Sequence, residues 1–237
     1  MKILHVSAYF SPSWAFGGIP RVVDGLTAAQ TNLGHEVSIL TTDAYDEMSR
    51  SAVPKFRQSN KRSVFTLTNL SNRLAYKQFP LPLFSSVLKE QISNADLVHL
   101  HGARNLLVEL SAECAKKTNT PFVITPNGTQ RRHQSRIRRK WLWDRIFTGT
   151  LQASRWTAVS HAEKQDLINE GISAESISVI PNGVDTSEID NLQKSAGKDK
   201  SADPPYKTIG YLGQLSPRKG VQDLIEATLS MQDKSIR

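Results

Sequence analysis

The sequence contains a single cysteine, Cys114, among 237 residues, so no disulfide forms within one chain. This usage is typical of proteins from a reducing compartment. No apolar run is long enough to cross a bilayer, and the apolar stretch 1–10 is broken too early by Ser11 and Pro12 for a signal peptide. We therefore expect a cytoplasmic protein.

Several motifs of metal and nucleotide chemistry are also missing. The sequence has no Asp-x-Asp triplet, no P-loop, no HExxH motif and no paired CxxC. We therefore expect no metal ion and no other cofactor. The composition, with 38% hydrophobic and 22% charged residues, is typical of soluble globular proteins, and the length allows one large domain or two small ones.

Hydrophobic periodicity alternates between strand and helix along most of the chain. Strands are predicted at 2–7, 36–41, 63–68, 96–100, 121–125, 156–160 and 176–180. Helices are predicted at 19–33, 81–92, 105–117, about 134–151, and from a capping box at 160–163 to Gly171. This order predicts an α/β fold: a Rossmann-like doubly wound parallel sheet with helices on both faces.

Ligands of such sheets bind at the carboxyl ends of the strands. This rule selects five loops, at 9–21, 42–47, 99–104, 126–129 and 181–185. A functional site is expected among them.

A polar stretch at 193–205 ends in two prolines and indicates a linker. We predict a first domain over residues 1–190, a linker over 191–205, and the start of a second domain over 206–237. That last region has the length of one βα unit. Its predicted strand is 208–212, and its helix is predicted to begin with Ser216 as N-cap and Pro217 as first residue.

Positive charge accompanies the start of that last helix. Arg218 and Lys219 lie beside the predicted helix N-terminus, and this combination attracts anions. The alternative is an ordinary capped helix with solvated basic residues.

The net charge of +8 is concentrated at 131–145, where seven of fifteen positions are Lys or Arg. Such a cluster attracts nucleic acid, anionic lipid headgroups or phosphorylated substrates. Together with Trp141, the residues Arg136, Arg139 and Lys140 are our candidates for an acceptor-binding or membrane-binding surface. Alternatively, the aromatic residues face the core and the basic residues form a solvated face. No nucleic-acid-binding motif is present, so nucleic acid is not an expected partner.

Five short motifs follow one another in a specific order and spacing. They are 17–21 (GGIPR), 98–102 (VHLHG), 158–162 (AVSHA), 179–185 (VIPNGVD) and 213–220 (GQLSPRKG). In this succession, which covers nearly the whole chain, the sequence resembles the retaining glycosyltransferases of family 4, group 1. The resemblance implies the GT-B architecture, in which two Rossmann-like domains face each other across a cleft. The first domain generally receives the acceptor, and the second holds the nucleotide sugar.

The resemblance implies roles for residues of the first domain. Gly17 and Gly18 would let the backbone approach the donor phosphate closely, and Arg21 would meet a phosphate or carboxylate. The alternatives are a plain tight turn and a surface arginine. His101 matches the active-site histidine near the reacting sugar, with a role in hydrogen bonding and charge stabilisation. His99, on the same face of its strand, is expected to be structural.

In the second domain, the resemblance implies that Arg218 and Lys219 neutralise the donor pyrophosphate without a metal ion. Two departures from the family pattern affect this half of the site. Gln214 stands where the family usually has arginine, and the paired-glutamate motif that binds the donor's sugar and ribose is absent before residue 237.

The implied reaction transfers a hexose from a nucleotide diphosphate sugar to a glycan or lipid-linked acceptor, with retention of configuration. Synthesis of cell-surface polysaccharide or lipopolysaccharide is the expected context, with peripheral contact at the inner face of the cytoplasmic membrane. The alternative is a catalytically inactive, truncated acceptor-binding module.

The basic segment 131–145 generates a test of membrane contact. We expect the chain to sediment with anionic vesicles and not with neutral ones, because its cations attract lipid phosphate. Vesicle sedimentation at low and physiological salt measures this difference. Equal binding to both vesicle types would contradict the expectation.

Overall fold

The chain forms two compact units, Met1–Asp185 and Thr186–Arg237. In this computed structural model the described residues are 1–76, 79–83, 86–129, 143, 145–184, 186, 209–213, 215 and 219–231.

The first unit contains an eight-stranded sheet in its described part. Its strands are β1 Lys2–Ser7, β2 Glu36–Thr42, β3 Phe56–Ser59, β4 Arg62–Leu67, β5 Leu97–His101, β6 Phe122–Thr125, β7 Arg155–Ala158 and β8 Ile177–Val179. Their order across the sheet is β3-β4-β2-β1-β5-β6-β7-β8, and every pair is parallel except β3 with β4. The predicted doubly wound parallel sheet is confirmed.

The helices in the described part of this unit include α1 Ile19–Asn32, α2 Asn72–Tyr76, α3 Ser86–Ser93, α4 Leu106–Lys117 and α5 His161–Asn169. Their ends follow the sequence signals. The Asn105 side chain accepts a hydrogen bond from the Val108 amide at the start of α4. Gly34 and Gly171 adopt φ of +93° just beyond the ends of α1 and α5, the conformation that favours glycine at such positions. No helix among the described residues has the length and apolarity needed to span a membrane.

The two faces of the sheet are packed differently. On one face, α3 and α4 cover a large aliphatic core that includes Leu4, Val6 and Leu100. On the other face, α1 packs through Val23 over a smaller cluster that contains Ile39. Because side chains alternate along a strand, the odd-numbered residues of β1 and β5 face the α1 layer. That layer contains the candidate site.

Two predicted elements differ from the structure near 56–93. The hairpin of β3 and β4 was not fully predicted, since β3 falls in a stretch whose polar composition resembles a loop. The helix predicted at 81–92 corresponds to Ser86–Ser93, and the described residues 81–83 are not helical. The backbone before it is engaged elsewhere, because Leu81 accepts from the Leu70 amide and the Leu83 amide donates to Thr68.

The end of the basic helix, predicted near Leu151, is wrong, because Gly149–Gln152 forms a 3₁₀ turn. Both the amide and the hydroxyl of Thr150 donate to the buried Glu109 carboxylate of α4, which fixes this turn against the helix. Residues 143, 145 and 146 are helical, whereas 147 and 148 are not. The remaining part of that predicted helix, 134–142 and 144, lies outside the described residues, as does the linker at 191–205.

In the second unit, the predicted strand at 208–212 is also wrong, because the described residues 209–213 form no strand. A strand needs a hydrogen-bonded neighbour, and the described part of this unit offers none. The helix α6 is Val221–Ser230, with Gly220 as its N-cap at φ of +67°. It therefore begins later than predicted, and Ser216 and Pro217 lie outside the described residues.

Glu163 connects two loops at the carboxyl edge of the sheet. The Ser160 side chain accepts from the Glu163 amide, as the capping box predicts. The Glu163 carboxylate, however, accepts from the amide of Val159 at 2.7 Å and from the amide of Gly128 in the loop after β6. One nearly buried carboxylate therefore joins the loops after β6 and β7.

We predict that Glu163→Gln lowers the free energy of unfolding by about 2 kcal/mol, because a charged acceptor of two backbone amides is replaced by a neutral one. Urea unfolding of the chain measures the change. Glu175→Gln, at an exposed position, is the matched control and should leave the midpoint unchanged. Equal stability of the two variants would contradict the bridging role of Glu163.

Candidate functional site

The sheet changes its direction of winding between β1 and β5. From β1 the chain runs outward to β2 and β4 on one side, and it then returns to β5 on the other side. The loops that follow β1 and β5 therefore leave the sheet side by side in opposite directions. Ligands of doubly wound sheets bind in the crevice that this divergence creates.

Three histidines lie together where these strands end. His5 in β1 is opposite His99 in β5, and Ser7 is opposite His101, so all three imidazoles project from the same face. The rings of His99 and His101 have centroids 4.1 Å apart, and those of His5 and His101 are stacked at 5.2 Å. The prediction that His99 and His101 share a face is confirmed.

Hydrogen bonds link two of these rings to α1. His5 Nδ1 lies 2.8 Å from His101 Nε2, and His5 Nε2 lies 2.6 Å from Oε1 of Gln30 on α1. His99 Nε2 pairs separately with the Thr125 hydroxyl at the end of β6, at 2.7 Å. His101 Nδ1 is buried and has no hydrogen-bond partner among the described residues.

Burial keeps all three imidazoles neutral near pH 7. It lowers the pKa of His5 to about 4 and the pKa of His99 to about 3. It also moves the pKa of His101 well below its usual value, with smaller contributions from the neighbouring His99 and His5. A charged imidazole is therefore strongly disfavoured in this layer, and the rings act as neutral donors and acceptors.

The three rings also satisfy a first criterion for a metal site, since one nitrogen from each lies within 4.8 Å of the others. Two nitrogens bound to one tetrahedral zinc ion lie about 3.4 Å apart, from zinc–nitrogen distances of about 2.0–2.1 Å. The facing nitrogens of His5 and His101 are closer, at the 2.8 Å of a hydrogen bond. The geometry therefore favours a hydrogen-bonded chain over an ion.

His101 itself is covered, with 2% of its surface exposed. The next residue, Gly102, turns the chain at φ of +80°, and a Cβ there would lie 3.8 Å from Ile19 Cδ1 in the first turn of α1 and 3.8 Å from Thr129 Oγ1. The structure thus brings the turn after His101 beside the start of α1. The contact of His101 with a sugar stays a prediction.

The other predicted residues of the first unit lie at this start of α1. Gly17 has φ of +95°, which favours glycine, whereas Gly18 is the N-cap of α1 in an ordinary helical conformation. The Arg21 guanidinium lies 5.0 Å from the ring centre of Trp14, over its face. No side chain among the described residues caps the first amides of α1.

The remaining predictions fall elsewhere. Lys219 is exposed in the second unit, just before α6. The other candidate residues lie outside the described part: Arg136, Arg139, Lys140, Trp141 and Arg218.

Two residues of this site were missed by the sequence reasoning. His5 lies within an apolar strand, and its signal is a polar residue at an inward position of a buried strand. Gln30 lies in the fourth turn of α1, and nothing in the sequence distinguishes it from an ordinary helix residue. Only the pairing of β1 with β5 and the packing of α1 bring both to His101.

A separate cavity of roughly 300 Å³ lies at the opposite edge of the sheet, lined by residues that include Lys116, Phe122 and Gln152. It lies at the amino end of β6. The rule for doubly wound sheets places ligands at the other edge, so we assign the candidate site to the histidine layer and the loops beside it.

Comparison with known proteins extends these observations. The sequence profile described as Glycosyltransferase Family 4 matches residues 16–188, well over half of the chain. No curated protein sequence matches.

Solved structures show the same fold. HepE from Anabaena, in complex with UDP and glucose, matches with 19% identity and a TM-score of 0.58 over 100% of this chain and 59% of its own. The E. coli structure described as trehalose-6-phosphate bound with UDP-2-fluoro glucose matches with 13% identity, a TM-score of 0.61, and coverage of 100% and 63%. Sucrose-phosphate synthase from Thermosynechococcus elongatus matches with 15% identity and a TM-score of 0.59, over 99% of this chain and 61% of its own. The chain thus spans about three fifths of the length of these proteins.

The lowered histidine pKa values predict acid sensitivity. Histidines of the unfolded chain bind protons below pH 6.5, whereas the folded ones remain neutral. The free energy of unfolding is therefore at its full value above pH 6.5 and falls as the pH drops towards 4. Each such histidine lowers the free energy of unfolding by about 1.4 kcal/mol per pH unit in this window. We expect urea unfolding to show a loss of about 4 kcal/mol between pH 7.5 and pH 5.5 when all three contribute.

His99→Val should reduce this pH-dependent loss by about a third, since one of the three groups is removed. His161→Gln, at an exposed position, is the matched control. A wild-type stability that is constant between pH 7.5 and 5.5 would contradict the buried, neutral state of the layer.

Proposed function

The chain belongs to glycosyltransferase family 4, and we propose that it transfers a hexose from a nucleotide diphosphate sugar to an acceptor hydroxyl, with retention of configuration at the anomeric carbon. The donor class is supported by the structural relatives, since HepE was solved with UDP and glucose and with UDP-glucose. We propose the same class of donor for the protein to which this sequence belongs.

One observation carries the proposal: the uncapped start of α1 lies beside the His101–Gly102 turn at the switch point of the sheet. The N-terminus of a helix attracts anions, because its first amides lack intrahelical partners and the helix dipole is positive there. A donor phosphate can be held at this end of α1. A sugar attached to that phosphate would then lie near the carboxyl end of β5.

The proposed roles follow from the chemistry of each group. Gly17 and Gly18 permit close approach of the phosphate to the backbone, and Arg21 supplies a charge-assisted contact. His101, held neutral, takes part in hydrogen bonding to the hexose. Arg218 and Lys219 neutralise the pyrophosphate leaving group, and on this proposal no metal ion or other cofactor is required.

For the acceptor, we propose a glycan or a lipid-linked sugar in the synthesis of cell-surface polysaccharide or lipopolysaccharide. The support is the cluster of Lys and Arg with neighbouring tryptophans at 131–145. Such a segment attracts anionic headgroups, so it would hold a cytoplasmic enzyme at the inner face of the membrane where lipid-linked acceptors are found.

We expect the purified chain to bind UDP or GDP and the corresponding nucleotide hexoses in isothermal titration. Lys219→Ala should weaken this binding about tenfold, because a charge-assisted contact to the pyrophosphate is lost. Lys89→Ala, which removes an exposed lysine on α3, is the matched control and should bind like the wild type.

A folded chain that binds none of these nucleotides would contradict the proposed donor site and would leave acceptor binding as its function. Equal affinities of Lys219→Ala and the wild type would contradict the role of Lys219 alone.

A further inference from the structure

Gln30, His5 and His101 form one continuous chain of hydrogen-bonding atoms. Gln30 Oε1 is 2.6 Å from His5 Nε2, and His5 Nδ1 is 2.8 Å from His101 Nε2. The opposite nitrogen of His101, Nδ1, is the end of this chain. It is buried and has no partner in the described part of the protein.

The amide oxygen of Gln30 determines which ring nitrogens of His5 and His101 carry a hydrogen. An amide oxygen only accepts, so His5 must carry its hydrogen on Nε2 and keep a lone pair on Nδ1. His101 must then donate from Nε2 to that lone pair. In a neutral ring this leaves His101 Nδ1 without a hydrogen, as an acceptor.

The reverse placement of the hydrogens is disfavoured because of His101 Nδ1, the last atom of the hydrogen-bonded series. If the Gln30 amide were turned over, its NH₂ group would donate to His5, and each imidazole would carry its hydrogen on Nδ1. His101 would then present an N–H group that has no acceptor among the described residues. Orphaned buried N–H groups are rarer in proteins than under-satisfied acceptors. The oxygen of Gln30 therefore faces His5.

A buried acceptor without a partner is unfavourable unless a ligand supplies the hydrogen. His101 is the last residue of β5, and the Gly102 turn that follows it lies beside the start of α1. We propose that Gln30 and His5 are positioning residues that fix His101 in the tautomer with its lone pair on Nδ1, and that this atom accepts a hydrogen bond from a hydroxyl group of the bound hexose. The second half of this inference rests on the proposed function, whereas the tautomer does not.

Nitrogen-15 NMR of the full 237-residue chain tests the tautomer without any ligand. Long-range proton–nitrogen correlations of the histidine rings distinguish a protonated nitrogen from a nitrogen with a lone pair. We expect both His5 and His101 to carry hydrogen on Nε2 only. Resonances are assigned with His5→Asn and His101→Asn.

Gln30→Met keeps the shape of the side chain and removes the acceptor, so His101 should become a mixture of tautomers. Gln30→Glu keeps an acceptor and should restore the single tautomer. Gln165→Met, at an exposed position on α5, is the matched control. A wild-type His101 with hydrogen on Nδ1, or a tautomer that is unchanged in Gln30→Met, would overturn the proposal. Thermal unfolding confirms that each variant is folded.

Titration with UDP and UDP-glucose then tests the ligand. UDP-glucose should shift the His101 Nδ1 resonance and UDP alone should not. Gln30→Met should weaken binding of UDP-glucose about three- to tenfold and leave UDP binding unchanged, as expected for one hydrogen bond. If UDP binds but UDP-glucose leaves His101 unchanged, the hexose assignment is wrong. If neither binds, the proposed function fails, while the tautomer result stands on its own.

Discussion

The parallel pairing of β1 with β5 is the contact on which the candidate site depends. It places His5 opposite His99 and leaves His101 at the end of the strand, so residues almost a hundred positions apart in the sequence become neighbours. The same pairing is the point where the winding of the sheet reverses. The crevice and the histidine layer are therefore two consequences of one set of backbone hydrogen bonds.

The two faces of the sheet contribute differently to stability and to the candidate site. The face covered by α3 and α4 is filled with aliphatic side chains and provides most of the buried apolar surface. The α1 face accommodates three imidazoles in positions where aliphatic residues would pack more favourably. Hydrogen bonds to Gln30 and Thr125 offset part of the cost of burying polar rings. Stability thus comes mainly from one layer, and the candidate chemistry lies in the other.

Hydrophobic periodicity was sufficient to predict most strands of the sheet and the helices α1, α4 and α5. It was insufficient where pairing overrides local composition. β3 has few apolar residues and forms because β4 provides a neighbour, and residues 81–83 are held by the backbone of 68–70. The position of His101 at a strand end could be predicted from the order of motifs. His5 and Gln30 could not, because their proximity to His101 follows from strand order and helix packing, which a single sequence does not specify.

Helix α1 contributes to the site at both ends, with Gly18 and Arg21 at its start and Gln30 near its end. Successive residues of an α-helix are rotated by about 100° around its axis. An insertion or deletion of one residue between Arg21 and Gln30 would therefore turn the amide away from His5 while leaving the first turn in place. The number of residues in this helix, and not only their identity, is a constraint on the evolution of the protein.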